Sequence, residues 1–254
     1  MSLVHAEYLK LSRRKLYPVL LLILFLLVGL TAFFLLIFGQ IAPELAEEVP
    51  VLAKPDAYII GAQQVAGQTW FPLILAVVIL GGELGSTVWA TSLTRESSVL
   101  RHVGARITML TLASWLALAL GVVLWAGFTL FAAPGEGGPS VTEWLGLGWR
   151  VGLVALVWSS LGLAAVALLR SVGPAIGAAL AFSFLEGILA LWPPYANVSV
   201  TAATTALFGD FLDGFFGAFL PGSEISLTHA AVTLLGWAVL AFGLTWWGLR
   251  RRDA

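Results

Sequence analysis

"YPVLLLILFLLVGLTAFFLLIF", residues 17–38, runs for twenty-two residues without a charge, and its reading decides the fold. About 20 apolar residues of helix are enough to cross the hydrocarbon core of a bilayer. The rest of the chain has the same character. Of its 254 residues 59% are hydrophobic and 11% charged, with a mean hydropathy of +0.96, where a soluble domain carries about 25% charge. Lipid offers the backbone no hydrogen bonds, so spanning segments are helices or closed barrels. The apolar runs here are continuous rather than alternating, which points to helices. Residues 17–38 exceed the length of a signal-peptide core, and no small-residue cleavage site closes the run, so it is expected to remain as a span.

Working outward from that run, five more segments reach spanning length: 61–82, 107–132, 150–169, 172–192 and 229–249. The second is the least apolar, with Gln63, Gln64 and Gln68 in its first part and Pro72 following. Only Arg170 and Ser171 separate the fourth from the fifth, which predicts a tight helical hairpin. The chain therefore reads as an all-α integral membrane protein, one transmembrane domain over residues 1–254 with six transmembrane helices.

Charge gives the direction. Lys10, Arg13, Arg14 and Lys15 precede span one, and Arg95, Arg101 and Arg106 lie between spans two and three. Arg170 marks the turn after span four, and Arg250, Arg251 and Arg252 follow span six. Eleven of the thirteen lysines and arginines thus fall on one side, leaving Lys54 and Arg150 on the other. The positive-inside rule makes the N and C termini cytoplasmic. The acids Glu44, Glu47, Glu48, Asp56, Glu136, Glu143, Asp210, Asp213 and Glu224 then lie outside. Trp70, Trp144, Trp149 and Trp192 are placed at the outer interface, Trp246 and Trp247 at the inner one, as interfacial anchors.

Two flanking pieces carry structure of their own. Residues 2–15 set Val4, Tyr8 and Leu11 at helical spacing with bases gathered at the end, which predicts an amphipathic N-terminal interfacial helix on the cytoplasmic leaflet. The segment between spans five and six is too apolar for a solvated loop. Its runs Ala206–Phe211 and Phe215–Leu220 are too short to cross and read as re-entrant or interfacial outer helices.

Several chemistries lack their residues. There is no phosphate loop of the GxxxxGK[ST] type, no HExxH and no GxSxG. With no cysteine, thiol catalysis, cysteine–zinc sites and disulfides are excluded. His5, His102 and His229 are scattered, so no metal site is expected. "WSSLG" places Ser159 and Ser160 inside span four with no histidine or lysine at a recognisable spacing, so they read as hydrogen-bonding hydroxyls. No catalytic residue is assigned. Glu186, inside span five, is different, because an intramembrane carboxylate marks a site unless it is paired. Arg150, entering span four from the same side, is the available partner, and both readings stand. Gly173, Gly177 and Ala181 form a small-residue stripe on span five, suited to close helix approach.

The polar interruption between spans two and three, "GGELGSTVWATSLTRESSVLR" (81–101), carries a pattern. Glu83 ends span two, Ser86–Thr87 follow, then Val88–Leu93, the pair Thr94–Arg95, and Arg106 opening span three. This order resembles the cytoplasmic segment of type-2 ABC exporter permeases, and the six-span layout resembles the family over the whole chain. Arg106 stands where the family commonly has lysine, and Ser86 where it often has glycine. The resemblance implies a permease subunit of an ATP-binding-cassette exporter, working as a homo- or heterodimer with a second permease chain in the cell inner (cytoplasmic) membrane. A short cytoplasmic coupling helix would dock on a separate ABC ATPase subunit through Glu83, Thr87, Trp89, Leu93, Arg95, Glu96 and Arg101. ATP and Mg would be bound by that partner, with no cofactor in this chain and no nucleic acid among its partners. Gln63, Gln64, Gln68 and Glu186 are the candidate substrate path, at a dimer interface formed by spans one, two and five. A non-transporting membrane scaffold or assembly factor and a six-span secondary carrier are the rival readings. The absence of a repeat between the two halves weighs against the carrier.

Overall fold

A computed structural model describes residues 3–41, 57–86, 89, 98–132, 140–208 and 225–251. The described residues form ten helices and no strand. They are α1 (Leu3–Ser12), α2 (Leu16–Ile41), α3 (Ala57–Ala66), α4 (Trp70–Leu84), α5 (Val99–Ala132), α6 (Val141–Leu169), α7 (Val172–Leu189), α8 (Pro193–Ala196), α9 (Val200–Leu207) and α10 (Leu227–Arg250). Six segments are long and apolar enough to cross a membrane, and each overlaps one of the six spans read from the sequence. This is a multi-pass, all-helical membrane protein.

The second span is two helices rather than one. α3 ends at Ala66, the Gly67 N–H donates to the Gln63 carbonyl at 2.8 Å, and α4 restarts at Trp70. Pro72 falls in the first turn of α4, where its missing N–H has no helical partner to lose. The Trp70 indole donates to the Gln68 amide oxygen at 2.7 Å and ties the break together.

Two other spans start earlier than the apolar runs. α5 begins at Val99 and is 34 residues, about 51 Å long at 1.5 Å per residue. Arg106 is thus two turns inside the helix instead of at its opening. α6 begins at Val141 because Ser140 and Glu143 form a reciprocal capping box. That "SVTE" signature was available in the sequence. The Tyr58 hydroxyl donates to the same Glu143 carboxylate at 2.7 Å, fastening α3 to α6. At the other end of α6 the predicted hairpin turn is present, with Arg170 in the left-handed conformation (φ 58°) as it closes the helix.

α6 is the centre of the bundle. Its span is 67% buried, against 17% for α7, and it packs on α4, α5, α7 and α10. Close backbone approach decides two of these contacts. A Cβ on Gly162 would come within 2.5 Å of the Leu73 carbonyl oxygen of α4, and one on Gly248 within 3.0 Å of the Ala167 carbonyl oxygen of α6. The glycine stripe of span five plays no such part within the chain, since Gly173 and Gly177 face open space. Ser159 does hydrogen-bond between helices, to Ser114 of α5 at 3.4 Å.

Candidate functional site

The base of the 81–101 segment is built on a buried ion network. Glu83, near the end of α4, is fully buried, and Arg106 of α5 is 2% exposed. The Arg106 guanidinium donates through Nη2 to Glu83 Oε2. Glu7 of α1 is also buried and lies 3.7 Å from Arg106 Nε through its Oε2. Lys10 donates to Glu7 at 2.8 Å and stands 3.5 Å from Glu83 Oε1, while Arg14 Nη2 is 3.7 Å from that oxygen. Arg14 also reaches the Ile79 carbonyl at 3.4 Å. Two carboxylates and three cations thus join α1, α4 and α5 at one point. A single buried charge would be strongly unfavourable, and mutual pairing is what makes this burial tolerable.

Trp89 closes the network from above. Its ring lies 4.6 Å from the Arg106 guanidinium carbon and 5.9 Å from the His102 ring, and its side chain is 3% exposed. Glu83 and Trp89, two of the residues expected to dock, are both buried within the chain. Arg101, on the first turns of α5, is exposed. Thr87, Leu93, Arg95 and Glu96, and with them the coupling helix as an element, lie outside the described residues.

α1 is helical, as expected. Glu7 and Leu11 are buried while Tyr8 is 52% exposed. Glu7 faces Arg106 and Lys10 on the inner side. Glu7 could have been suspected as the one acid in a basic tail, three residues before Lys10.

The third buried carboxylate is at the opposite end. Glu186 is 1% exposed, and among the described residues no ion pair joins it to Arg150. Its Oε1 accepts the backbone N–H groups of Val200 and of Thr201, the latter at 3.3 Å. These are the first two residues of α9, so the carboxylate sits at a helix N-terminus, where unpaired N–H groups and the helix dipole favour negative charge. Ser199 caps the next donor, accepting from the Ala202 N–H at 3.0 Å. The pKa of Tyr195 is raised, by burial first and then by the Glu186 carboxylate beside it.

From the other side α10 holds the same stretch. The Trp237 indole donates to the Val198 carbonyl at 2.8 Å, His229 Nε2 to the Asn197 carbonyl at 2.7 Å, and Thr233 to that carbonyl at 3.4 Å. The short helices after span five are therefore α8 and α9, at 193–207. Of the runs predicted at Ala206–Phe211 and Phe215–Leu220, everything beyond Phe208 lies outside the described residues.

The glutamines lie apart from Glu186. Gln63 is half-buried and Gln64 exposed on α3, while Gln68 occupies the break, its amide NH2 reaching the Gln64 carbonyl at 3.5 Å. No hydrogen bond links the three to Glu186 among the described residues. Nor do three or more His, Asp or Glu side chains come together as metal ligands among them. No family model, curated protein or solved structure matches the chain.

Proposed function

We propose that this chain is the membrane subunit of an ATP-driven exporter, paired with a second permease chain and driven by a separate ATPase at its basic end. The observation that carries the reading is the Glu7–Lys10–Glu83–Arg106 network at the root of the 81–101 segment. A force on that segment would be passed to α1, α4 and α5 together, since Glu83 and Arg106 are buried and cannot slide past one another without separating paired charge. This suits a chain with a membrane bundle and no phosphate loop of its own. The positive-inside rule puts the basic end in the cytoplasm, where ATP is supplied.

In this reading Glu83 and Trp89 anchor the segment, and contact with the ATPase falls to Thr87, Leu93, Arg95, Glu96 and Arg101. Gln63, Gln64 and Gln68 are the candidate path residues. Glu186 is a brace for α9 through its backbone contacts. Co-purification with a phosphate-loop ATPase of the source cell tests the proposal. Arg95→Glu with Leu93→Ala is expected to abolish capture while the permease stays folded. Full capture by that double variant would remove the docking role.

A further inference from the structure

Glu186 is held by one of its two oxygens. Oε1 accepts the Val200 and Thr201 N–H groups, while Oε2 is buried with no hydrogen-bond partner among the described residues. The ion pairs between described residues all lie at the basic end. Of the two bases on its own side, Arg150 makes no ion pair with it among those residues, and Lys54 lies outside them. The Tyr195 hydroxyl beside it is neutral and leaves the charge in place.

A row of aromatic rings adjoins the carboxylate. Phe182 is one turn before Glu186 on the same face of α7. Its ring centroid is 6.5 Å from that of Trp158 on α6 and 5.8 Å from that of Trp237 on α10. α7 and α10 each pack on α6 and scarcely on one another, so the rings bridge a crevice floored by α6. α9 packs against both walls and closes the outer end. Trp158 is buried, while Phe182 and Trp237 are half-buried and keep ring surface toward the outside of the bundle. Eleven to fifteen residues separate these four side chains from the inner ends of their helices at Arg170, Ser171 and Arg250, about 16–22 Å of rise. In a hydrocarbon core about 30 Å thick they share one level, in its outer half.

We infer that this crevice binds a monovalent lipophilic cation, its charge set against Glu186 Oε2 and its apolar body against Phe182 and Trp237, with Trp158 beneath. The lining selects that class. An anion is repelled by the carboxylate, and a neutral molecule leaves a buried charge uncompensated. A hydrated metal ion would surrender its water for a single carboxylate oxygen. Aromatic faces attract an organic cation that sheds its water readily. The site does not rest on the export reading, since binding of this kind needs no ATPase.

The test is equilibrium dialysis of the purified full chain in neutral detergent against tetraphenylphosphonium, read above a detergent blank. Tetraphenylborate, of the same shape and opposite charge, is the control. The wild type is expected to bind one tetraphenylphosphonium, and tetraphenylborate at least about tenfold more weakly. Glu186→Gln keeps an acceptor for α9 but loses the charge, and should bind the cation about tenfold more weakly. Phe182→Leu keeps apolar volume but loses the ring, and should bind it about threefold more weakly. Lys54→Ala should leave binding unchanged. Undiminished binding by Glu186→Gln or by Phe182→Leu would overturn the inference, as would equal binding of the two ions by the wild type. A gain of about tenfold in Lys54→Ala would overturn it too, because the chain would then supply the counter-charge of Glu186 itself. Should Glu186→Gln not fold, Phe182→Leu, Lys54→Ala and the two ions on the wild type decide the matter.

Discussion

Glu83 and Glu186 sit at opposite ends of the bundle, each with about 1% or less of its surface exposed, and the chain neutralises them in different ways. Glu83 is met by side-chain cations, with Arg106, Lys10 and Arg14 drawn from two other segments. Glu186 has no cation partner among the described residues and is met by backbone N–H groups at the start of α9. The first arrangement links elements already in place and resists their separation. In the second, the carboxylate organises the element that satisfies it, since α9 is only eight residues long and a helix that short is marginal by itself.

The sharpest way to break the comparison is a double-mutant cycle on the first pair. Arg106→Met leaves Glu83 buried beside weaker partners and should cost about 3–5 kcal/mol in equilibrium unfolding in mixed micelles. Adding Glu83→Leu should recover most of that loss, because an apolar pair carries no desolvation cost. Additive losses would show that the two residues act separately.

The second end should respond locally instead of globally. Glu186→Ala removes acceptors for two donors and is expected to cost about 2 kcal/mol. Hydrogen exchange should speed up in residues 199–207 and stay unchanged in α4 and α5. Glu186→Gln, which keeps an acceptor oxygen but loses the charge, should cost about half as much. Faster exchange throughout the bundle would mean that α9 supports the whole fold.

The smallest effect separates the rim of the first network from its interior. Lys10 is 29% exposed, so Lys10→Gln should cost about 0–1 kcal/mol and less still in high salt. A loss as large as that of Arg106→Met would place the hub of the network at α1 instead of α5.

These differences also mark how far the residues could be read. The six spans follow from apolar run length, since lipid permits few alternatives, and structure added their ends and the break in the second. The first turns of α6 were missed although "SVTE" announced them, because the apolar run begins only after Arg150. The break at 67–69 was signalled by Gln63, Gln64, Gln68 and Pro72 as a weak span, not as two helices. Of the proposed docking residues, Glu83 and Trp89 looked available because a charge and an aromatic in a polar segment usually face outward. Their burial depends on Glu7, Lys10 and Arg106, which lie far off in the chain.

For Glu186 no sequence rule could have found the partner, because a backbone N–H is offered by every residue but proline. Which donors become available depends on where a helix begins in space. Composition, run length and the one-sided placement of bases determined by themselves that this is a six-span helical membrane protein, since the bilayer penalises every other arrangement of such a chain. Which charges meet, and which carboxylate braces a helix, was decided only by tertiary structure, because those energies depend on distances of a few ångströms between segments up to about a hundred residues apart.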